Sequence, residues 1–148
     1  MNKEYLNFFL NEQFQINLIS FIEALILSGF LSFLIQIVYL RFSTSLSNKF
    51  DFSKNFIILG ITTTLVITIV KSSLALSLGL VGALSIVRFR AAIKEPEELV
   101  YLFLIIATGL GCGAGQLKIT LIGILFAILI VIIFSLYWKK KKIADEEI

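Results

Sequence analysis

Residues 56–89 read FIILGITTTLVITIVKSSLALSLGLVGALSIVRF. Lys71, Ser72 and Ser73 are the one clear polar break in this apolar stretch before Arg88. As one helix it would be roughly 50 Å long at about 1.5 Å per residue. The hydrocarbon core of a bilayer is only about 30 Å thick, and ordinary tilt does not absorb the difference. The stretch therefore breaks at Lys71–Ser73, giving segments 56–70 and 74–89. Each is roughly 23 Å long as helix. They form two short spans, or one is re-entrant and covered at membrane depth by protein or water.

Plainer spans lie on both sides. Leu18–Phe42 is apolar apart from Glu23 and Gln36, and its Tyr39, Arg41 and Phe42 suit an interfacial anchor. Residues 43–55 form a polar loop. Beyond the decisive stretch, Arg90–Glu98 is a charged connection. Pro96 suits a first helical position, with Glu97 and Glu98 in the first turn against the positive end of the helix dipole. Residues 99–115 and 119–138 are the remaining spans. The last one stops at Tyr137, Trp138 and the run Lys139–Lys142. Residues 139–148 are a charged tail. Residues 1–16 carry Leu6, Phe9, Leu10 and Phe14 near helical spacing and form an interfacial amphipathic helix, not a cleaved signal peptide. The expected fold is an all-α integral membrane protein. It has that N-terminal helix and a single transmembrane domain, 17–138, of about four to five membrane helices (17–42, 56–70, 74–89, 99–115, 119–138), one pair short or re-entrant.

Composition points the same way. The chain is 58 % hydrophobic and 16 % charged, with a mean hydropathy of +0.97, whereas soluble domains run near 45–50 % apolar and about 25 % charged. A soluble globule, a disordered chain and a nucleic-acid-binding module are excluded. The absence of His removes the commonest general base and metal ligand. A single Cys removes an internal disulfide and a thiolate cluster. No catalytic residue, metal or cofactor is expected. A Ser–Lys dyad built from Lys71 and Ser72 or Ser73 lacks an oxyanion partner.

Basic residues orient the spans. With five crossings, Arg41, Lys49, Lys54, Arg88, Arg90, Lys94 and Lys139–Lys142 share the inner side, and only Lys3, Lys71 and Lys118 lie outside. That is ten of the thirteen basic residues on one side. With four crossings the bias falls and Lys71 is stranded at mid-membrane, at a cost of about 2.5–3.5 kcal/mol. Five crossings with the C-terminus inside is the preferred topology. It brings the intramembrane polar residues Glu23 and Lys71 towards one end, where they either pair or reach separately to headgroups.

Small residues recur at Ala75, Gly79, Gly82, Ala83 and Ser85, and again at Gly109, Gly111, Gly113 and Gly115, the last set holding two overlapping G-x-x-x-G pairs. Such spacing lets helix backbones approach closely in lipid. It serves packing within the bundle or an interface between copies. Cys112 among the glycines is a small packing residue. Arg88, Arg90 and Lys94 gather at a membrane edge beside Glu95, Glu97 and Glu98. They are an inside anchor with local ion pairs, or they line a vestibule that meets an anion or a partner's acidic face. Lys139–Lys142 is a stop-transfer anchor with anionic-lipid contact.

Three motifs carry a resemblance: GLVGALSIVRFR (Gly79–Arg90), IKEPEE (Ile93–Glu98) and GLGCGAGQ (Gly109–Gln116). With them the chain resembles a bacterial and archaeal membrane family catalogued as domain of unknown function four-nine-five-six, over about Phe56–Trp138. Members often have Thr after R-F-R, where this chain has Ala91. A weaker similarity runs to MgtC/SapB membrane proteins through the Gly- and Ala-rich run. The resemblance implies a multi-pass protein of the cytoplasmic membrane, with some members beside polyphosphate-polymerase-type or cell-surface-polymer genes. Two functions are expected to compete. One is a homo-oligomeric passive channel or transporter-like component with a basic cytoplasmic mouth. The other is a non-catalytic membrane subunit or scaffold of a polyphosphate or cell-surface-polymer system, docking through the Arg88–Glu98 turn. The expected partners are the lipid bilayer, further copies of the chain and a cytoplasmic protein, and not nucleic acid.

Overall fold

The computed structural model describes residues 3–4, 17–43, 48–71, 74–86 and 96–147. The elements in chain order are α1 (Leu18–Phe42), α2 (Lys49–Ser53), α3 (Phe56–Lys71), α4 (Leu74–Ile86), α5 (Pro96–Gly113) and α6 (Leu117–Glu146). Among the described residues the fold is all-α. The helices α1, α2 with α3, and α6 are long and apolar enough to cross a bilayer, and Glu98–Gly113 of α5 is a shorter apolar helix. The chain is a helical membrane protein.

The helices turn many large apolar side chains outward and bury small residues beside a few large ones such as Leu31, Ile35 and Tyr39. On α1, Ile19, Ile22, Ile26, Phe30 and Phe33 are exposed, while Ala24, Ser28, Leu31 and Ser32 are buried. The buried residues of α3 are Phe56, Gly60, Thr64 and Thr68. Lipid tails are as apolar as Leu, so no hydrophobic force drives such helices together. Close approach of small residues and interhelical hydrogen bonds hold them instead. Asn17 caps α1, its side-chain oxygen accepting from Ile19 N at 3.1 Å.

Several bounds differ from the expected spans. The polar stretch 43–55 contains the short helix α2. Asn48 Nδ2 donates to Asp51 Oδ2 at 2.6 Å, and Lys54 pairs with Asp51 at 3.3 Å. The helix α5 starts at Pro96 and ends at Gly113, ahead of the turn made by Gly115. The helix α6 continues through the lysine run to Glu146, so the expected tail is largely helical. Lys, Ala and Glu are good helix formers, and polarity ends a span without ending a helix. The helix α4 is described to Ile86, while residues 87–95 and most of the expected helix 1–16 lie outside the described residues.

Pair contacts fix the directions. Ser28 meets Thr64, Gly29 meets Ile61, and Tyr39 meets Phe56, so α1 and α3 are antiparallel. Gly109 meets Thr63, Gly113 meets Ile67, and Lys71 reaches Ala114, so α3 and α5 are parallel. Gly111 faces Thr120 and α6 runs back beside α1, where Ser135 Oγ donates to Phe42 O at 3.3 Å. Two parallel helices in sequence require a return between them. Of the stretch between them, α4 is described. The helix α4 packs chiefly against α3 and stands at the edge of the bundle.

Candidate functional site

The interior is built on four-residue spacing. On α1, Ala24, Ser28 and Ser32 fall on one face and are buried. Gly60, Thr64 and Thr68 do the same on α3. Because i and i+4 share a helix face, two antiparallel stripes of this kind interlock. Thr64 Oγ1 donates to Gly60 O at 2.9 Å and shares a 2.7 Å hydrogen bond with Ser28 Oγ. Thr68, Thr108 and Thr120 return their hydroxyl protons to carbonyls one turn back, at 2.7–2.8 Å. These hydroxyls therefore satisfy themselves locally. A methyl at Gly60 would collide with Ser32 Oγ. Among the described residues, Ser32 Oγ and Gln36 Oε1 are buried without a hydrogen-bond partner. The seam is filled with side chains.

The glycine run of α5 divides its contacts. A Cβ at Gly109 would lie 2.5 Å from Thr63 Cβ and 3.0 Å from Gly60 O. At Gly113 it would lie 2.8 Å from Ile67 Cβ and 2.9 Å from Thr64 O. Both face α3. Gly111 faces the other way, 2.9 Å from Thr120 Cβ on α6. Gly115 has φ +83° and closes α5 through Gly115 N to Cys112 O and Gln116 N to Gly111 O, each 3.1 Å. That pair of bonds is a Schellman cap, which places its glycine in the left-handed region. Lys71 Nζ donates to Ala114 O at 2.9 Å, one of the carbonyls that a helix end leaves without an internal partner. The last residue of α3 is thereby tied to the end of α5. Glu23 is exposed on α1, and the ion pairs among the described residues do not join it to Lys71.

Aromatic rings close the opposite end. Tyr39 lies 4.9 Å from Tyr101, 5.2 Å from Phe56 and 5.7 Å from Phe52, centroid to centroid. Glu98, one turn before Tyr101, is only 5 % exposed. Arg88, Arg90, Lys94 and Glu95 lie outside the described residues, as does the side chain of Glu97. Arg41 ends α1 at this same end, and Lys139–Lys142 extend beyond it on α6.

The small residues of α4 behave differently from those of α5. Nothing lies within 4 Å of a Cβ placed at Gly79 or Gly82. Ala75, Gly79, Gly82 and Ala83 are exposed, and Ala75, Leu76, Gly79, Leu80 and Ala83 line an open groove. The sequence treats both glycine sets alike, and contacts separate them. Sequence reasoning missed the α1–α3 seam, although Ser28, Ser32 and Gln36, and Gly60, Thr64 and Thr68, stand at visible intervals of four.

Among the described residues, no group of three or more His, Cys, Asp or Glu could hold a metal ion. The family described as "Domain of unknown function (DUF4956)" matches residues 30–145. No curated protein and no solved structure matches the chain.

Proposed function

We propose, for a chain that belongs to the DUF4956 family, a non-catalytic role in the cytoplasmic membrane as an oligomer, a passive conduit whose path runs between copies. The observation that carries this reading is the state of α4. Its small-residue face is open at Gly79 and Gly82, while the comparable glycines of α5 are filled by α3 and α6. Small residues at helical spacing reward close helix contact in lipid, and a second copy supplies it. The seam inside one copy is occupied by side chains, which favours a path outside it. Closed symmetric assembly is the ordinary way for a small chain to surround such a path. The basic end of the bundle is the cytoplasmic mouth under the positive-inside rule.

The mass of the purified protein in lipid nanodiscs tests this directly. A defined oligomer is expected for the native chain, and a smaller species for Gly79→Leu with Gly82→Leu. Liposomes holding the native chain should leak small anions, and those holding the variant should not. A native monomer overturns the proposal. An intact oligomer in a tight bilayer replaces the conduit with the scaffold reading.

A further inference from the structure

We propose that the end of α6 is a binding site for the headgroup of an anionic phospholipid. The helix has 30 residues, roughly 45 Å at 1.5 Å per residue. Its uncharged part from Ile119 to Leu136 covers roughly 27 Å, close to the hydrocarbon thickness of about 30 Å. Tyr137 and Trp138 follow, 66 % and 54 % exposed. Aromatic rings of this kind settle at headgroup level. The bond from Ser135 Oγ to Phe42 O places the end of α1, with Arg41, level with this part of α6. Lys139–Lys142 then stand roughly 6–10 Å beyond Ser135, within the headgroup layer.

Those four lysines are available. All are exposed, and among the described residues the one ion pair is Lys54 with Asp51. Asp145 and Glu146 sit four residues after Lys141 and Lys142, the weaker order for a helical pair, and form none. Successive residues on a helix point about 100° apart, so the four ammonium groups make a collar around α6. Lys141 Nζ lies 5.5 Å from the centre of the Trp138 ring, which joins cation and aromatic anchor in one unit. A lipid phosphate at this depth meets the collar while its tails lie along the exposed Ile130, Ile133 and Phe134. A soluble acidic protein would need the lysines clear of the headgroups, and the anchor holds them among those groups.

The test is the lipid shell kept by the full chain from nanodiscs of phosphatidylcholine with a minor fraction of phosphatidylglycerol, weighed by native mass spectrometry. Each lysine near an anionic surface is worth about fivefold in affinity. Wild type should therefore enrich phosphatidylglycerol at least about tenfold, and the combined Lys139→Gln, Lys140→Gln, Lys141→Gln, Lys142→Gln variant should lose the enrichment. The same four positions changed to Arg should keep it, as should Lys118→Gln at the other end. Inorganic phosphate should leave the lipid bound. Equal shells for wild type and the Gln variant, or displacement by phosphate, overturn the proposal. Circular dichroism of the Gln variant keeps a folding defect from passing as lost binding.

Discussion

Gly109 and Gly79 are the same residue in similar apolar, glycine-rich sequence, yet they are expected to answer oppositely to one added methyl. At Gly109 the methyl meets Thr63 Cβ and the carbonyl of Gly60, and backbone cannot step aside cheaply. Overpacking of this kind costs about 1–3 kcal/mol. Gly109→Ala should lower the thermal midpoint in detergent. Gly79→Ala meets nothing within 4 Å and gains up to about 1 kcal/mol of helix propensity, so the monomer's midpoint should hold or rise. In the dissociated monomer, a drop at Gly79 equal to that at Gly109 would mean that α4 is covered within one chain. Gly115 is a third case. Its φ of +83° costs an L side chain about 1–2 kcal/mol, so Gly115→Ala should destabilise the turn although only the Lys71 ammonium lies nearby.

Between elements, the hydroxyl pair of Ser28 and Thr64 is the interhelical hydrogen bond of the α1–α3 seam. A double-mutant cycle of Ser28→Ala and Thr64→Val should return a coupling of about 0.6 kcal/mol and no more than about 1.7 kcal/mol. Additive effects would show that packing alone holds the pair. This seam was the part of the fold least legible in the sequence, and the reason is physical. In water a helix advertises its buried face by polarity. In lipid both faces are apolar, so size and not polarity marks the packed side, and the hydroxyls that line it read as neutral. The break at Lys71 was legible because a charge cannot sit cheaply at bilayer centre, and α3 ends there with its ammonium on Ala114 O. The end of α6 was legible as a span and not as a helix, since Lys139 ends the apolar run while the backbone continues to Glu146. The glycine motifs were visible, but their partners, α3 for Gly109 and Gly113 and α6 for Gly111, emerge only when the helices are set side by side.

For the whole molecule, the decisive relation is the parallel run of α3 and α5. If the stretch 56–89 crossed only once, the loop before α3 and the turn before α6 would share a side of the membrane. The parallel arrangement separates them. The start of α3 lies by Tyr39 and the Arg41 end of α1, whereas Lys118 opens α6 beside the cap of α5 at the other end. Single cysteines test the difference once Cys112, which is buried, is replaced by Ala. In intact cells a membrane-impermeant thiol reagent should label Lys118→Cys and should reach Lys49→Cys and Lys140→Cys only after the membrane is opened. The separation of Lys49 from Lys118 follows from helix direction. The side that faces outward follows from the weight of basic residues at the Arg41 end. Labelling of Lys49→Cys together with Lys118→Cys would overturn the parallel run of α3 and α5 across the membrane. Labelling of Lys49→Cys and Lys140→Cys without Lys118→Cys would keep the bundle and invert it in the membrane, moving the lysine collar to the outer leaflet.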